Sequence, residues 1–433
     1  MTRQTVLGFL FVTLVVLAGC NAVSPGANTT AQSTTAGHGM QTTDTQTATA
    51  ATTPMQSTSP PDSIPQATRT ATTHTTARRT ATATQTATPR PTNTADRRGR
   101  TVVGIQAGSE VVMVDAGGET LWSYGNVTGY FDVTVLDNGN VLAAIVLDDQ
   151  RACGTFTPPC GRTGFRIIDP TPTPHVVYQW TYPIRDTLNS EVHDVNPLPG
   201  DRFLLTGMEY ERIFIVARNG TVLWQWNASR RYDAPPDPTK TDWLHINDVD
   251  RIRPGRYLVS VRNANQLLII ERGKGVVEVI NEDRNDSDDA DCTPSGAWGQ
   301  LGDYDNDGDV LCGDPSLFDH QHNPQYLGPG AVLVADSEND RVVELHKNDG
   351  PWRVAWALDS AGGIPFNWSR DADRLPNGHT LITDSKNDRV VEVTKQGQVV
   401  WSLNTSHWPY EADRLPYGEQ TGEPYNTSAD SVR

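Results

Sequence analysis

A repeat constrains this chain more than any other feature. Beyond residue 100 the sequence cycles through an Asp-containing run, a Leu-Pro-Gly-type turn, a short apolar strand, an Asn/Asp corner, Val-Val-Glu-Val, Gly and an apolar strand with Trp. The clearest copies are 371–378 with 385–393, against 338–345 one unit earlier. Turns recur near Leu136, Leu198, Gly255, Gly330, Gly378 and Leu415, about 40 to 60 residues apart except where an insertion stretches one interval. Short runs of β-formers punctuated at this period predict propeller blades. Residues 101–126 read as the outer strands of a blade that lacks its first strand, and 409–418 read as that strand. Joining them completes a sixth blade and removes an open sheet edge. The expected fold is all-β: a six-bladed β-propeller over 101–433, closed by N- and C-terminal strands of one blade, with an insertion at 283–318.

What precedes the repeat cannot form a core. Met1-Thr-Arg3 leads into an apolar run from Val6 to Ala18, then Leu17-Ala-Gly-Cys20, the length and flank of a secretory signal over 1–19. Leu-Ala-Gly-Cys resembles the bacterial and archaeal lipobox, which implies lipidation of Cys20 and anchorage on the outer face of the cell membrane. Between Asn28 and Asp96, 25 of 69 residues are Thr, with few large apolar side chains. This composition predicts a disordered, O-glycosylated stalk over 20–100. Export also fits Asn-X-Ser/Thr sequons such as those at Asn126, Asn219, Asn227, Asn285, Asn367 and Asn404. Four further cysteines are even in number, and two local disulfides are expected, Cys153–Cys160 and Cys292–Cys312.

Lys+Arg total 35 against 52 Asp+Glu, a net charge of −17 that repels nucleic-acid phosphate. Only 5 of the 35 cationic residues are Lys, as in proteins adapted to high salt, where self-repulsion is screened.

Against that acidic background the cations and imidazoles that do recur are informative. Counting five residues back from each turn Leu, or from Ile252 where it substitutes, gives Phe131, His193, Asn247, His322, Arg370 and Tyr410. Seven back, the series includes Glu191, His245 and His320. A propeller sets its innermost strand beside the central channel, and residues two apart on a strand share a face. Three consecutive blades therefore direct His193, His245 with Asn247, and His320 with His322 at one region. Arg262, on the second strand of the third blade, is read as matching Asp336 and Asp384 in the next two; a cation in that place suits sulfate, phosphate or carboxylate. The competing readings are histidines that only bond neighbouring blades, and a zinc site, which Arg262 disfavours.

At these residues the chain resembles the arylsulfate sulfotransferase family of exported β-propellers. The matching pieces are His193-Asp194, Trp243-Leu-His-Ile-Asn247, the strand carrying Arg262-Asn263, and Asp319-His-Gln-His-Asn-Pro324. The resemblance implies transfer of a sulfuryl group from an aryl sulfate ester to a phenol, with no nucleotide cofactor. It implies transient sulfation of a channel histidine, placed on His322 over His320, with His193, His245, Asn247 and Arg262 around the sulfuryl oxygens. Arg370 and His320 complete the expected substrate contacts. His193 or His245 would protonate the leaving phenol, and the sequence does not choose between them. The stalk-like composition before the repeat leads us to expect no separate N-terminal β-domain of the kind seen in bacterial members.

Within the insertion, Asp303, Asp305, Asp307, Asp309 and Asp314, with Gly308, follow the spacing of a calcium loop. Ca²⁺ is expected there in a structural role. The rival functions are a non-catalytic ligand- or surface-binding propeller, and a quinone dehydrogenase, suggested by the Gly-x-x-x-Trp repeats ending at Trp122, Trp224 and Trp401.

Overall fold

The computed structural model describes residues 99–185, 187, 189–282, 301 and 311–417. The chain divides into two units, Met1–Gln85 and Thr86–Arg433. The signal segment, Cys20, the Thr-rich stretch, Cys292 and the aspartates from 303 to 309 lie outside the described residues.

Six four-stranded antiparallel sheets follow one another in chain order. Blades one to five begin with the inner strands Gly129–Val135, Val195–Leu198, Ile246–Arg253, His322–Gly328 and Asp371–Arg374. The sixth takes its inner strand, Pro409–Arg414, from the end of the chain, and its outer three from Thr101–Ile105, Glu110–Val114 and Thr120–Tyr124. Thr101 pairs with Arg414 and Val103 with Ala412, so the ring closes by backbone hydrogen bonds between the two ends of the repeat. The six-bladed, end-closed architecture expected from the sequence is the one present. A two-residue ribbon, Ser360–Ala361 with Ile364–Pro365, is an unanticipated addition.

The outermost strands carry alternating exposure, as in Val222–Asn227 and Val399–Asn404, while the inner strand Pro409–Arg414 is buried along its whole length. An apolar cluster fills each boundary between blades: Leu204, Ile213 and Trp226 of blade two meet Val249, Tyr257 and Leu268 of blade three. Burial of these surfaces supplies the main force holding the blades together.

Closure also depends on one close approach. A Cβ on Gly104 would stand 2.1 Å from the Phe131 carbonyl oxygen, so the last and first blades touch through backbone. We expect Gly104→Ala to destabilise the propeller by about 1–3 kcal/mol, the usual cost of overpacking. The urea midpoint checks it, and an unchanged midpoint would refute the tight contact.

Carboxylates run along the inner strands. Asp132, Asp194, Asp248, Asp371 and Glu411 stand four residues before their turns, one per blade, with Asn323 in the fourth. Several bind the neighbouring blade: Asp132 accepts from Val195 N–H (2.9 Å), Asp194 from Val249 N–H (2.8 Å) and Asp371 from Ala412 N–H (3.2 Å). Burial pushes their acidities down: Asp132 is raised to about 6 and Asp371 to about 7, while Asp194, Asp248, Asp373 and Glu411 rise well above the ordinary carboxylate range.

Candidate active site in the channel

A backbone device delivers the histidines. The hairpins between second and third strands turn through left-handed residues, among them Glu211 (φ +44°), Asn265 (φ +50°) and Asp340 (φ +50°). Each of these three accepts the N–H of a residue in the next blade: Glu211 Oε1 from His245 (2.7 Å), Asn265 Oδ1 from His320 (2.9 Å) and Asp340 Oδ1 from Trp368 (2.7 Å). The recipients are themselves left-handed, with φ of +54°, +46° and +55°. Non-glycine residues, and a Trp above all, reach that region only when their surroundings hold them there. His245, His320 and Trp368 are therefore placed by the preceding blade.

His322 opens the inner strand of blade four and is buried. Its Nδ1 lies 2.8 Å from Ser337 Oγ and 3.1 Å from the His320 carbonyl oxygen. Ser337 spends its single hydroxyl proton on the Ser369 carbonyl (2.7 Å), so toward His322 it accepts. Both neighbours of Nδ1 are thus acceptors, which fixes the proton on Nδ1 and leaves the lone pair on Nε2. Burial first, then Arg370, Arg262, His245 and His193, hold this imidazole well below its ordinary pKa, so it is neutral at neutral pH.

Two further imidazoles and a phenol pack beside it. The His193 ring stacks on Phe131 at 4.6 Å and meets His245 edge-on at 5.3 Å, and its Nδ1 lies 3.0 Å from the Tyr410 hydroxyl. Tyr410 in turn stands 6.2 Å from the His322 ring. His245 gives its Nδ1 proton to Asp242, whose oxygens are 2.8 and 3.0 Å away. Burial and then Arg262 push His245 down to about 4, although Asp242 pulls the other way.

Two guanidiniums complete the group. Arg370 lies 4.3 Å from the Trp368 ring centre and 5.4 Å from that of Tyr410, and it hydrogen-bonds Gln106. Burial lowers it to about 10. Arg262 is only 6% exposed, yet its side chain makes no hydrogen bond to any described residue and its Nε is fully buried. A buried guanidinium without partners is costly unless an anion is meant to meet it.

The family model described as Arylsulfotransferase (ASST) matches residues 229–406, a span holding His245, Arg262, His322 and Arg370. The chain fits an arylsulfotransferase-family β-propeller. No curated protein matches it. Among solved structures, a protein of unknown function from Bacteroides caccae is 16% identical, covering 70% of this chain and 93% of that one at a TM-score of 0.46. The periplasmic gluconolactonase PpgL from Pseudomonas aeruginosa is 14% identical (72% and 98% covered, TM-score 0.39), and virginiamycin B lyase from Staphylococcus aureus 11% (64% and 70%, TM-score 0.33).

In this propeller the sequence-derived residues separate into two groups. His193, His245, His322, Arg262 and Arg370 come together. Asn247 instead donates to the Gln321 carbonyl of the next blade (2.8 Å), with its Oδ1 buried and unpartnered. His320 and His322 do not share a strand face: His320 precedes the strand in a left-handed conformation, and its Nδ1 turns to Asp319 at 2.7 Å. What His320 offers His322 is its carbonyl. Ladder registers also correct the matching of Arg262. Val261 pairs with Gln266 as Asp336 pairs with Arg341 and Asp384 with Arg389, so Val261 is the counterpart of the two aspartates. Arg262 corresponds to Ser337 and Ser385, on the short turn past the strand. Asp336 and Asp384 serve their own hairpins, pairing with Arg341 and Arg389.

The contributions of Asp242, Ser337, Trp368 and Tyr410 were missed. Tyr410 and Trp368 occupy the same repeat positions as the histidines, which was the available signal; Asp242 and Ser337 act through contacts that no spacing encodes.

Cys153 and Cys160 form the expected disulfide, with Cα atoms 5.8 Å apart. Cys312 is disulfide-bonded, its partner outside the described residues. The Asp314 carboxylate accepts from Ser316 N–H at 2.8 Å, and the Asp314 N–H donates to Asn281 Oδ1 at 3.2 Å. Among the described residues, no three His, Cys, Asp or Glu side chains are placed to hold one metal ion.

Proposed function

We propose that this sulfotransferase-family propeller moves a sulfuryl group from an aryl sulfate ester to a phenol by way of sulfated His322. The observation that carries the reading is the pairing of a neutral imidazole, whose Nε2 lone pair is fixed by two acceptors at Nδ1, with two buried guanidiniums that have no carboxylate hydrogen-bonded to them. The Nε2 pair attacks sulfur, the bond from sulfur to the aryl oxygen breaks, and a phenol then takes the group in a second displacement. Arg262 and Arg370 supply fixed positive charge to the sulfuryl oxygens, where charge accumulates in the transition state. Lipidated Cys20 would place the enzyme on the outer face of the cell membrane, and the 303–314 loop would hold structural Ca²⁺; both rest on sequence alone.

The test is intact mass of the protein, in high salt with Ca²⁺, after a brief pulse of a chromogenic aryl sulfate. We expect a gain of one sulfuryl group with phenolate release, and no gain in His322→Ala. An adduct lost only in His320→Ala would move the nucleophile, and no adduct with several donors would leave a ligand-binding propeller.

A further inference from the structure

We propose that Asp242 is the positioning residue that makes His245, rather than His193 or His320, the proton carrier of the transfer; the inference rests on the sulfuryl-transfer reading above. Three imidazoles could serve, and their backing groups differ. Behind His193 stands the neutral Tyr410 hydroxyl at 3.0 Å, which cannot offset the charge of an imidazolium. His320 has a carboxylate, Asp319, at 2.7 Å, but it precedes the inner strand in a left-handed conformation and its ring turns to that residue, away from the His193–His245 pair. His245 faces both oxygens of Asp242, at 2.8 and 3.0 Å, with 3% and 9% of the two side chains exposed.

The pair is braced from three sides. Asn263 donates to the Asp242 carbonyl at 2.9 Å, Glu211 takes the His245 N–H at 2.7 Å, and the His245 ring packs edge-on against His193 at 5.3 Å. Because Asp242 can only accept, the neutral imidazole keeps its proton on Nδ1 and presents Nε2 to the channel, and the imidazolium is stabilised when it forms. The steps balance. In the donor half, His245 enters as the imidazolium, its Nε2 proton taken from water in the first cycle and from the phenol of the preceding transfer in later ones; the His322 Nε2 pair forms the N–S bond, the S–O pair passes to the aryl oxygen, and His245 Nε2–H protonates that oxygen. In the acceptor half, His245 Nε2 takes the phenol proton, the phenol oxygen bonds sulfur, and the N–S pair returns to His322.

A positioning role predicts dependence on the leaving group. In Asp242→Asn, sulfation of His322 by phenyl sulfate, whose phenolate needs a proton, should slow by about 100-fold. With 4-nitrophenyl sulfate, whose phenolate leaves unprotonated, it should slow by less than about 3-fold; Asp242→Glu should recover part of the phenyl sulfate rate, and Asp242→Asn should add nothing to His245→Gln. A merely structural role would slow both donors alike, and that result overturns the proposal. Nitrogen-15 NMR of the full chain without substrate separates this from failure of the transferase reading. His245 should carry its proton on Nδ1 in the parent and lose that preference in Asp242→Asn; an unchanged tautomer overturns the assignment even if His322 is sulfated, while a changed one with no sulfation by any donor overturns the transfer alone.

Discussion

Arg262→Met should make the propeller more stable and the transfer slower. The Arg262 guanidinium is buried without a hydrogen-bonding partner, and burial lowers its pKa even though Asp242 and Glu338 favour the charge. Replacing a buried charge that has no hydrogen-bonded partner by an apolar side chain of similar length removes a desolvation penalty, and comparable exchanges gain about 1–4 kcal/mol. The same exchange removes a donor aimed at developing sulfuryl charge, which costs about 10²–10³-fold in rate. Urea unfolding and the rate of His322 sulfation measure the two effects on one sample. A less stable Arg262→Met would mean that Arg262 braces the fold; a fully active one would remove Arg262 from the anion site.

Alkaline pH should loosen the propeller by ionising buried carboxylates, whereas ordinary ones are already charged in mild acid. Burial raises Asp371 to about 7 and Glu211 to about 8, and Asp194, Asp248, Asp373 and Glu411 further above the usual range. A group whose folded pKa lies above its unfolded value gives its full contribution below the unfolded pKa and loses it as pH rises through the folded one. Channel histidines run the opposite way: His193, His245 and His322 are lowered, so they cost stability only as pH falls below about 6.5. Between pH 6.5 and 9 the histidines drop out, and the carboxylates should lower stability by at least about 3 kcal/mol, since each pKa unit is worth about 1.4 kcal/mol. Urea midpoints across that window test the slope. Asp371→Asn keeps an acceptor for Ala412 N–H and cannot ionise, so it should flatten part of the fall; a flat or rising parent profile would refute the protonated channel.

The two predictions meet in one design. Imidazoles and Arg370 cluster at the starts of the inner strands, joined by Arg262 from a hairpin turn, and carboxylates line the adjoining positions, all buried on a scaffold stabilised by its apolar blade boundaries. Polar strain of this kind is tolerated where function requires it and the surroundings compensate.

The sequence by itself determined the blade repeat, the closure of the sixth blade by the two ends, and the places where His193, His245, His322 and Arg370 approach the channel. These follow from a hydrophobic period and turn chemistry that act locally, copy after copy. It could not determine which way the polar side chains turn. His320 reads as equivalent to His322 by alternation, yet Asn265 of the previous blade holds its N–H and a left-handed φ swings its ring to Asp319. Arg262 slips one place from its expected counterparts because pairing across a hairpin sets the register. The proton on His322 Nδ1 depends on Ser337, 15 residues away, and on the carbonyl of Ser369, 32 residues from that serine. Such contacts form only when strands and blades come together, and they decide the chemistry because a buried polar group takes its charge and direction from its nearest partners.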